Sequence, residues 1–380
     1  MAQGESAKCV PSVIDRRGLQ SLLDALLAEQ YEVIAPKITD GAVGLASVRR
    51  IEELPLAWRD EQGAGRYRLE ASPASELLDH GAPVHSWKRF LYPTSELLLR
   101  THRVGNSIRF EPQEEAPKRL AFLGIRGCDL AALNVLDRVL AGDRGADTHY
   151  ASRRKDVLVI AADCVRACGT GFCASMGTGP GVDDGYDLKL TELATDDESN
   201  LLIQAGTETG GRFLSGIARR PAESGELEGA REAIANTAAG LSRSMIPDVA
   251  ALLSRNLEHR AWNRIADRCL SCGNCTLVCP TCFCATVEDT TDLSGTVAER
   301  WRRADSCFTS DFSYIHGGSI RRGTASRYRQ WMTHKLSSWW EQFGVSGCVG
   351  CGRCVTWCPV GIDITAEARS IQESEGVKQS

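Results

Sequence analysis

The sequence predicts an α+β protein in which a mixed α/β domain precedes a mostly helical domain. Strand and helix patterns alternate in the middle of the first half. Strand patterns become scarce after residue 225, and eleven of the sixteen cysteines crowd between Cys269 and Cys358. We therefore expect one domain at residues 1–235, a second at 236–370 and a flexible tail at 371–380.

Composition and charge exclude several classes of protein. A net charge of −5 gives no reason to expect nucleic-acid binding. No apolar run approaches the roughly 18 residues that a membrane helix needs, and the N-terminal segment lacks the apolar stretch of a signal peptide. We therefore expect a cytoplasmic protein that binds neither nucleic acid nor membranes. In that compartment, cysteines are more often metal ligands than disulfides.

The first domain is predicted to open with a helix and to continue with strands. Residues 14–30 repeat apolar positions at helical spacing. Strand patterns follow at residues 31–38, 42–48, 118–125, 156–162, 188–193 and 200–205, with an acidic turn, TDDESN, between the last two. A helix at 128–140 comes directly after the strand at 118–125. This succession is typical of a sheet with helices packed on it.

The second domain is predicted to be built from helices. Residues 225–268 are rich in Ala, Leu, Glu and Arg, and the helical pattern breaks near Pro247. Residues 324–343 form another helical pattern that includes several aromatic residues. We also expect most of the segment from Pro280 to Gly347 to be helical.

Two identical cysteine motifs dominate the second domain. Residues 269–280 (the first motif) and 348–359 (the second motif) both read Cys-x2-Cys-x2-Cys-x3-Cys-Pro. Three thiolates at this spacing hold three corners of a 4Fe–4S cubane, and the fourth cysteine reaches the other cluster. We therefore assign one cluster, site 1, to Cys269, Cys272, Cys275 and Cys358, and a second, site 2, to Cys348, Cys351, Cys354 and Cys279. The helical spacer favours a helical two-cluster ferredoxin domain.

The residues around these thiols fit the same interpretation. Gly273 and Gly352 let the backbone approach inorganic sulfur, where amide N–H groups can hydrogen-bond. Pro280 and Pro359 turn the chain away after the fourth cysteine. Zinc is the alternative, although zinc sites usually carry two separate Cys-x2-Cys pairs. A zinc-stabilised binding protein without a redox role is therefore kept as a hypothesis of another class.

Four cysteines of the first domain form a candidate third cluster. Cys164, Cys168 and Cys173 follow a predicted strand in a glycine-containing loop, and Cys128 stands where a predicted helix begins. A helix N-terminus stabilises a thiolate and an anionic cluster. These four thiols (site 3) are expected to hold a third 4Fe–4S cluster. The alternatives are apolar packing and a zinc site.

The remaining residues show no pattern of a catalytic site. Cys282, Cys284 and Cys307 are expected to pack near the clusters. The alternatives are spare ligands or a zinc site together with Cys9 or His316. The basic segment 300–335 is expected to be a solvated face, or else to dock an acidic partner or offset cluster charge. No G-x-G-x-x-G follows a strand, so we expect no nucleotide or flavin site.

Several segments carry a resemblance to one family. They read GIRGCDLAALNVLD (124–137), GFCASMGTGP (171–180) with the DLKLTE that follows, CPTCFCATVED (279–289), RYRQ (327–330) and GCVGCGRCVTWCP (347–359). On these residues the chain resembles the beta subunit of cytoplasmic NAD(P)-linked nickel–iron hydrogenases, or sulfhydrogenases. It is also similar to the related electron-transfer subunit of anaerobic sulfite reductase.

The resemblance implies a role and partners. In such complexes one subunit binds flavin and NAD(P), and another carries the nickel–iron centre beside a small iron–sulfur subunit. The beta-type subunit is a non-catalytic electron carrier between them, which also favours the third cluster. We accordingly expect an electron-transfer subunit of an NAD(P)-linked hydrogenase, and the corresponding subunit of anaerobic sulfite reductase is the alternative.

Overall fold

The computed structural model describes residues 10–72, 78–113, 118–142, 145–193 and 200–376. Its strands are β1 (Ser12–Ile14), β2 (Glu32–Thr39), β3 (Ala42–Ser47), β4 (Trp58–Gly63), β5 (Arg66–Ala71), β6 (Ser95–Val104), β7 (Ser107–Pro112), β8 (Leu120–Arg126), β9 (Leu158–Ala162), β10 (Leu188–Glu192), β11 (Leu201–Ala205), β12 (Arg220–Pro221), β13 (Ala285–Thr291), β14 (Val297–Ala304), β15 (Tyr314–Ile315) and β16 (Gly318–Ser319). Its α-helices are α1 (Arg16–Ala28), α2 (Lys88–Leu91), α3 (Gly127–Leu140), α4 (Thr148–Lys155), α5 (Glu208–Ser215), α6 (Ser224–Ala239), α7 (Val249–Arg255), α8 (Ala261–Ala266), α9 (Asn274–Leu277), α10 (Thr324–Thr333), α11 (Trp339–Phe343), α12 (Arg353–Thr356) and α13 (Ile364–Gly376).

An eight-stranded sheet forms the centre of the segment from residue 12 to residue 221. Its strand order is β12-β1-β11-β10-β9-β8-β2-β3, and β2, β8, β9 and β10 run parallel to their neighbours within that group. These elements confirm the strands and helices predicted for the first domain, while the acidic turn between β10 and β11 lies outside the described residues. Because parallel strands end at the same edge of a sheet, the segments after β8 and β9 meet there.

Strand β8 shows how the sheet buries both of its faces. Ala121 and Leu123 pack into the core that α1 covers, whereas Leu120 and Phe122 pack into the opposite core beneath α3. Successive side chains of a strand point to opposite faces, and helices cover both faces of a parallel sheet. The continuous apolar run in this strand is the consequence.

Helices dominate the segments 225–268 and 324–343, as the sequence predicts. α6, α7 and α8 occupy the segment 225–268, and α10 and α11, joined by a π-helical turn at His334–Ser338, occupy 324–343. Trp262 and Trp331 share one buried core with Cys348. Of the helices in the described part of the chain, none is long and apolar enough to cross a membrane.

The segment between the two cysteine motifs differs from the prediction. Instead of being mostly helical, it begins with a hairpin of β13 and β14, and β14 pairs antiparallel with β6 in a sheet of order β13-β14-β6-β7. Glu299 on β14 lies opposite Arg100 on β6, and the two form an ion pair of 2.7 Å. Cross-strand contacts of this kind stabilise a strand. Because the partner strand lies far away along the chain, the local sequence pattern does not reveal the hairpin.

The C-terminal segment also differs from the prediction. Helix α13 continues to Gly376, into the segment expected to be a flexible tail. Ile371 is buried in the helical core, and Arg255 binds Glu375 at 2.7 Å. These two contacts hold the end of the helix in place.

A buried ion pair joins the second motif to α3. The guanidinium of Arg353, at the start of α12, donates hydrogen bonds of 2.7 and 2.8 Å to the carboxylate of Asp129 on α3. Its Nε donates to the carbonyl of Pro83 at 2.7 Å. The two side chains are 2% and 1% exposed. Because the bidentate geometry satisfies both charges, removing either partner would leave an unpaired buried charge.

Replacing Asp129 with Asn is therefore expected to weaken the fold. The substitution leaves the guanidinium of Arg353 buried without its anion, a change that typically costs about 3–5 kcal/mol. Anaerobic urea unfolding followed by far-ultraviolet circular dichroism should show a clearly lower midpoint. Asp289→Asn is the matched control, since it breaks the exposed pair with Arg300 and such pairs contribute little. Equal midpoints for the two variants would contradict the proposed importance of the buried pair.

Candidate metal centres

The cysteines of site 1 enclose one cavity. Gly273, with φ at +72°, makes the turn that leads into α9 and brings the first motif around this space. The cavity is lined by Cys269, Cys272, Cys275 and Cys358, together with the rings of Phe308, Tyr328 and Trp331. The structure therefore places Cys358, from the second motif, beside three cysteines of the first.

The four cysteines of site 2 also lie together. The thiols of Cys348, Cys351 and Cys354 each interact electrostatically with that of Cys279, which ends the first motif. Burial raises the pKa of Cys348 to about 12, so this thiol is neutral until a metal binds. Cys354 also lines the cavity of site 1. Sites 1 and 2 are therefore neighbours.

Backbone amides point at the thiols of both sites. The N–H···Sγ contacts have N–S distances of 3.4 Å from Ser271 to Cys269, 3.5 Å from Gly350 to Cys348 and 3.3 Å from Ile362 to Cys358. Donors in these positions stabilise a thiolate and its bound metal. Within the described residues, no group of three or more His, Cys, Asp or Glu side chains has the compact arrangement that a single metal ion requires. The cavity and the amide donors fit iron–sulfur clusters at sites 1 and 2.

Site 3 forms where two neighbouring parallel strands end. Cys128 lies in the first turn of α3, directly after β8, and Cys164 follows β9. Cys173 interacts electrostatically with Cys164 and Cys168, and it packs in one apolar cluster with Cys128. Burial raises the pKa of Cys168 to about 11 and that of Cys173 to about 12. The structure thus brings all four predicted cysteines together.

The site 3 loop, residues 164–180, packs directly on the second motif. The N–H of Phe172 donates to the carbonyl of Gly350 at 2.7 Å. A Cβ at Gly350 would lie 2.7 Å from the backbone of Phe172, and its φ is +66°, so glycine is required for this approach. Cys351 of site 2 consequently interacts electrostatically with three thiols of site 3, those of Cys128, Cys168 and Cys173.

A buried cation lies beside site 2, which fits the alternative that the basic segment 300–335 offsets cluster charge. Lys335 is only 3% exposed, and its Nζ lies 3.3 Å from Cys279 Sγ. A hydrogen bond from Cys282, together with the charge of Lys335, holds the pKa of Cys279 well below its usual value. The spacing of the residues indicates that Lys335 is buried. Trp331, Lys335 and Trp339 recur at intervals of four and therefore share one helical face. A lysine between two tryptophans on that face indicates a buried charge with a partner.

Several arginines of the basic segment 300–335 are neutralised within the chain. The pairs are Arg300 with Asp289, Arg303 with Glu288, Arg329 with Glu258, and Arg302 with both Glu96 and Asp147. The prediction of a solvated face fits the exposed side chains of Arg300 and Arg303. It is wrong for Arg302 and Lys335, which are buried.

Three of the remaining cysteines lie near the clusters, as expected. Cys282, Cys284 and Cys307 are half-buried free thiols that line a separate cavity. A hydrogen bond from Cys307 lowers the pKa of Cys284 to about 7. Cys9 lies outside the described residues.

Comparison with known proteins confirms the predicted resemblance. Residues 268–362, which contain both motifs, match the family described as a 4Fe-4S dicluster domain. The chain is 28% identical over 323 residues to sulfhydrogenase 2 subunit beta of Pyrococcus furiosus, and the match covers 83% of this chain and 91% of that protein. Residues 268–362 are therefore similar to a 4Fe–4S dicluster domain, and the chain is similar over most of its length to a sulfhydrogenase beta subunit.

Proposed function

We propose that the chain is an iron–sulfur electron-transfer subunit of a nickel–iron hydrogenase complex. It would connect a reductase subunit that binds flavin and NAD(P) with the catalytic and small subunits of the hydrogenase. The observation that carries this proposal is the unbroken contact of three cysteine sites across both domains. Sites 1 and 2 would each hold a 4Fe–4S cluster, and site 3 a third. The similarity to a sulfhydrogenase beta subunit supports the same role.

The three sites form a row. When bound, 4Fe–4S clusters take up and release single electrons. Site 3 adjoins site 2 through Cys351, whose thiol interacts with Cys128 and Cys173. Site 2 adjoins site 1 through Cys354, whose thiol interacts with Cys275. A chain that holds its metal-binding positions in contact is suited to conduction rather than to catalysis on a substrate.

The surrounding residues control charge and water at these positions. The rings of Phe308, Tyr328 and Trp331 form an apolar wall at site 1, which limits the access of solvent. Lys335 places a positive charge beside Cys279 at site 2. Hydrogen bonding, burial and nearby charge are the means by which a protein tunes an iron–sulfur site.

The row reaches the surface at both ends. At site 1 Cys272 is exposed, and the neighbouring Leu270 and Leu277 expose 64% and 56% of their surface. At site 3 Cys164 and Cys168 are partly exposed. A carrier that serves two partner subunits needs one accessible end for each, and exposed apolar side chains favour protein contact.

Purification of the tagged chain from its own cells under anaerobic conditions tests the function. We expect it to retain partners that contain nickel and flavin, detected by metal analysis and by absorbance after denaturation. An unrelated tagged protein from the same cells is the control. Co-purified sirohaem without nickel would instead identify a sulfite reductase complex. Zinc in place of iron in the chain itself would contradict electron transfer altogether.

Cys358→Ser is expected to damage site 1, because Cys358 lies with the first motif although it belongs to the second. The measurement is iron content together with electron paramagnetic resonance of the reduced protein. The variant should lose the same signal as Cys272→Ser and retain the signal that Cys351→Ser loses. If Cys358→Ser instead lost the signal that Cys351→Ser loses, each motif would provide all four ligands of its own cluster.

Cys168→Ser is expected to remove the cluster of site 3. Three cubanes account for about twelve iron atoms, so the variant should bind about four fewer than the unsubstituted chain after anaerobic reconstitution. The signals of sites 1 and 2 should remain, while electron transfer between the flavin and catalytic subunits slows. Asp289→Asn, an exposed substitution outside the three sites, is the control and should keep all its iron. If the unsubstituted chain saturates near eight iron atoms and Cys168→Ser matches it in iron and transfer rate, site 3 is structural.

A further inference from the structure

Three cysteines outside sites 1 to 3 share one cavity. Cys282, Cys284 and Cys307 line a space of about 460 Å³, and His334 and Lys335 form part of the same wall. This volume is far larger than a single metal ion occupies. Thiolates are soft ligands that select zinc, copper(I) or iron–sulfur clusters. The size of the cavity and the chemistry of its lining together favour a polynuclear iron–sulfur group.

A β-hairpin fixes two of these thiols. Cys284 immediately precedes β13, and Cys307 follows β14. Ala285 is paired with Ala304 at this end of the hairpin, and the N–H of Asp305 donates to the carbonyl of Cys284 at 2.9 Å. Because the strands are paired here, both thiols are held by a rigid framework, as a metal site requires.

Positive charge surrounds the third thiol. Lys335 Nζ lies 3.5 Å from Cys282 Sγ, and Lys88 Nζ donates to the carbonyl of Cys282 at 2.5 Å. In the described part of the chain, the Lys335 ammonium contacts thiols, a hydroxyl, a carbonyl and the Trp339 ring, but no carboxylate. A buried ammonium requires an anion nearby. Metal-bound thiolates on both sides of Lys335 would supply one.

We propose that Cys282, Cys284 and Cys307 bind a further iron–sulfur cluster, site 4, with the imidazole of His334 as its fourth ligand. The Nε2 atom of His334 bonds to Gln342 at 3.1 Å, which leaves Nδ1 as the ligating nitrogen. A hydrogen bond on the other ring nitrogen is the usual support of a metal-binding histidine. Site 4 takes its iron–sulfur chemistry from the proposed function but does not depend on site 3.

Site 4 adjoins the row of thiols in sites 1 to 3. Lys335 stands between Cys279 of site 2 and Cys282. The thiol of Cys307 also interacts electrostatically with Cys275 of site 1. The cavity therefore adjoins sites 1 and 2, where a further electron-accepting group would extend the row.

Iron and sulfide counts on the full chain test this assignment. With site 4 filled, the unsubstituted chain should bind about sixteen iron atoms, about four more than sites 1 to 3 alone, and Cys307→Ser and Cys284→Ser should each bind about four fewer after anaerobic reconstitution. Both variants should keep the paramagnetic signals of sites 1 and 2, which also shows that they fold. Asp289→Asn, an exposed substitution on the same hairpin, is the matched control and should lose no iron. His334→Ala should retain iron but alter the signal or potential of one cluster only.

Three results would overturn the proposal. One is the same iron content in the unsubstituted chain and in both cysteine variants. Another is zinc bound at site 4 of the unsubstituted chain in place of iron, if both cysteine variants lack that zinc. The third is a disulfide between Cys284 and Cys307 in the fully reconstituted protein. Because Cys168→Ser reports on site 3 alone, iron loss in that variant without loss in Cys307→Ser would leave the proposed function intact and reject site 4.

Discussion

The close backbone contact between the site 3 loop and the second motif is the constraint on which the arrangement of the sites depends. Thr170 Oγ1 lies 2.6 Å from Thr356 Oγ1, and a Cβ at Gly352 would come within 2.5 Å of the Thr170 backbone. Glycines with positive φ therefore let two chain segments touch where side chains would separate them. The contact sets the spacing between sites 2 and 3, and the buried pair of Arg353 with Asp129 lies beside it.

Burial of so many thiols creates an electrostatic problem that the fold solves with buried cations. A thiolate removed from water is unstable unless a positive charge or a hydrogen-bond donor faces it. Lys335 faces Cys279, and Arg353 interacts with Cys351. Arg126, which is 1% exposed, interacts with Cys164. Each cation is itself held by carbonyl or carboxylate oxygens.

Local sequence patterns were sufficient for some features and insufficient for others. The spacing within the motifs predicts that Cys358 lies with Cys269. This prediction needs only the spacing of the cysteines, which is the same in both motifs and determines which thiols can reach one cubane. The strand–helix succession at residues 118–140 also predicted where Cys128 would lie. Nothing local predicted the hairpin at 285–304, since β14 pairs with β6 from the other half of the chain. Local sequence likewise does not predict that Arg302 is buried, because its partner Glu96 lies on β6.

The long spacer between the two motifs has a structural role that its composition conceals. Its hairpin joins the sheet of the first domain's β6 and β7, which ties the cluster-binding region to residues far away in sequence. Its helices then return to the cysteines and deliver Tyr328 and Trp331 to site 1 and Lys335 to site 2. A shorter connection could bring the two motifs together. It could not also pair with β6 and supply the side chains beside sites 1 and 2. The length of the spacer therefore follows from three structural roles. It pairs with β6, it supplies apolar rings to site 1, and it places a positive charge beside site 2.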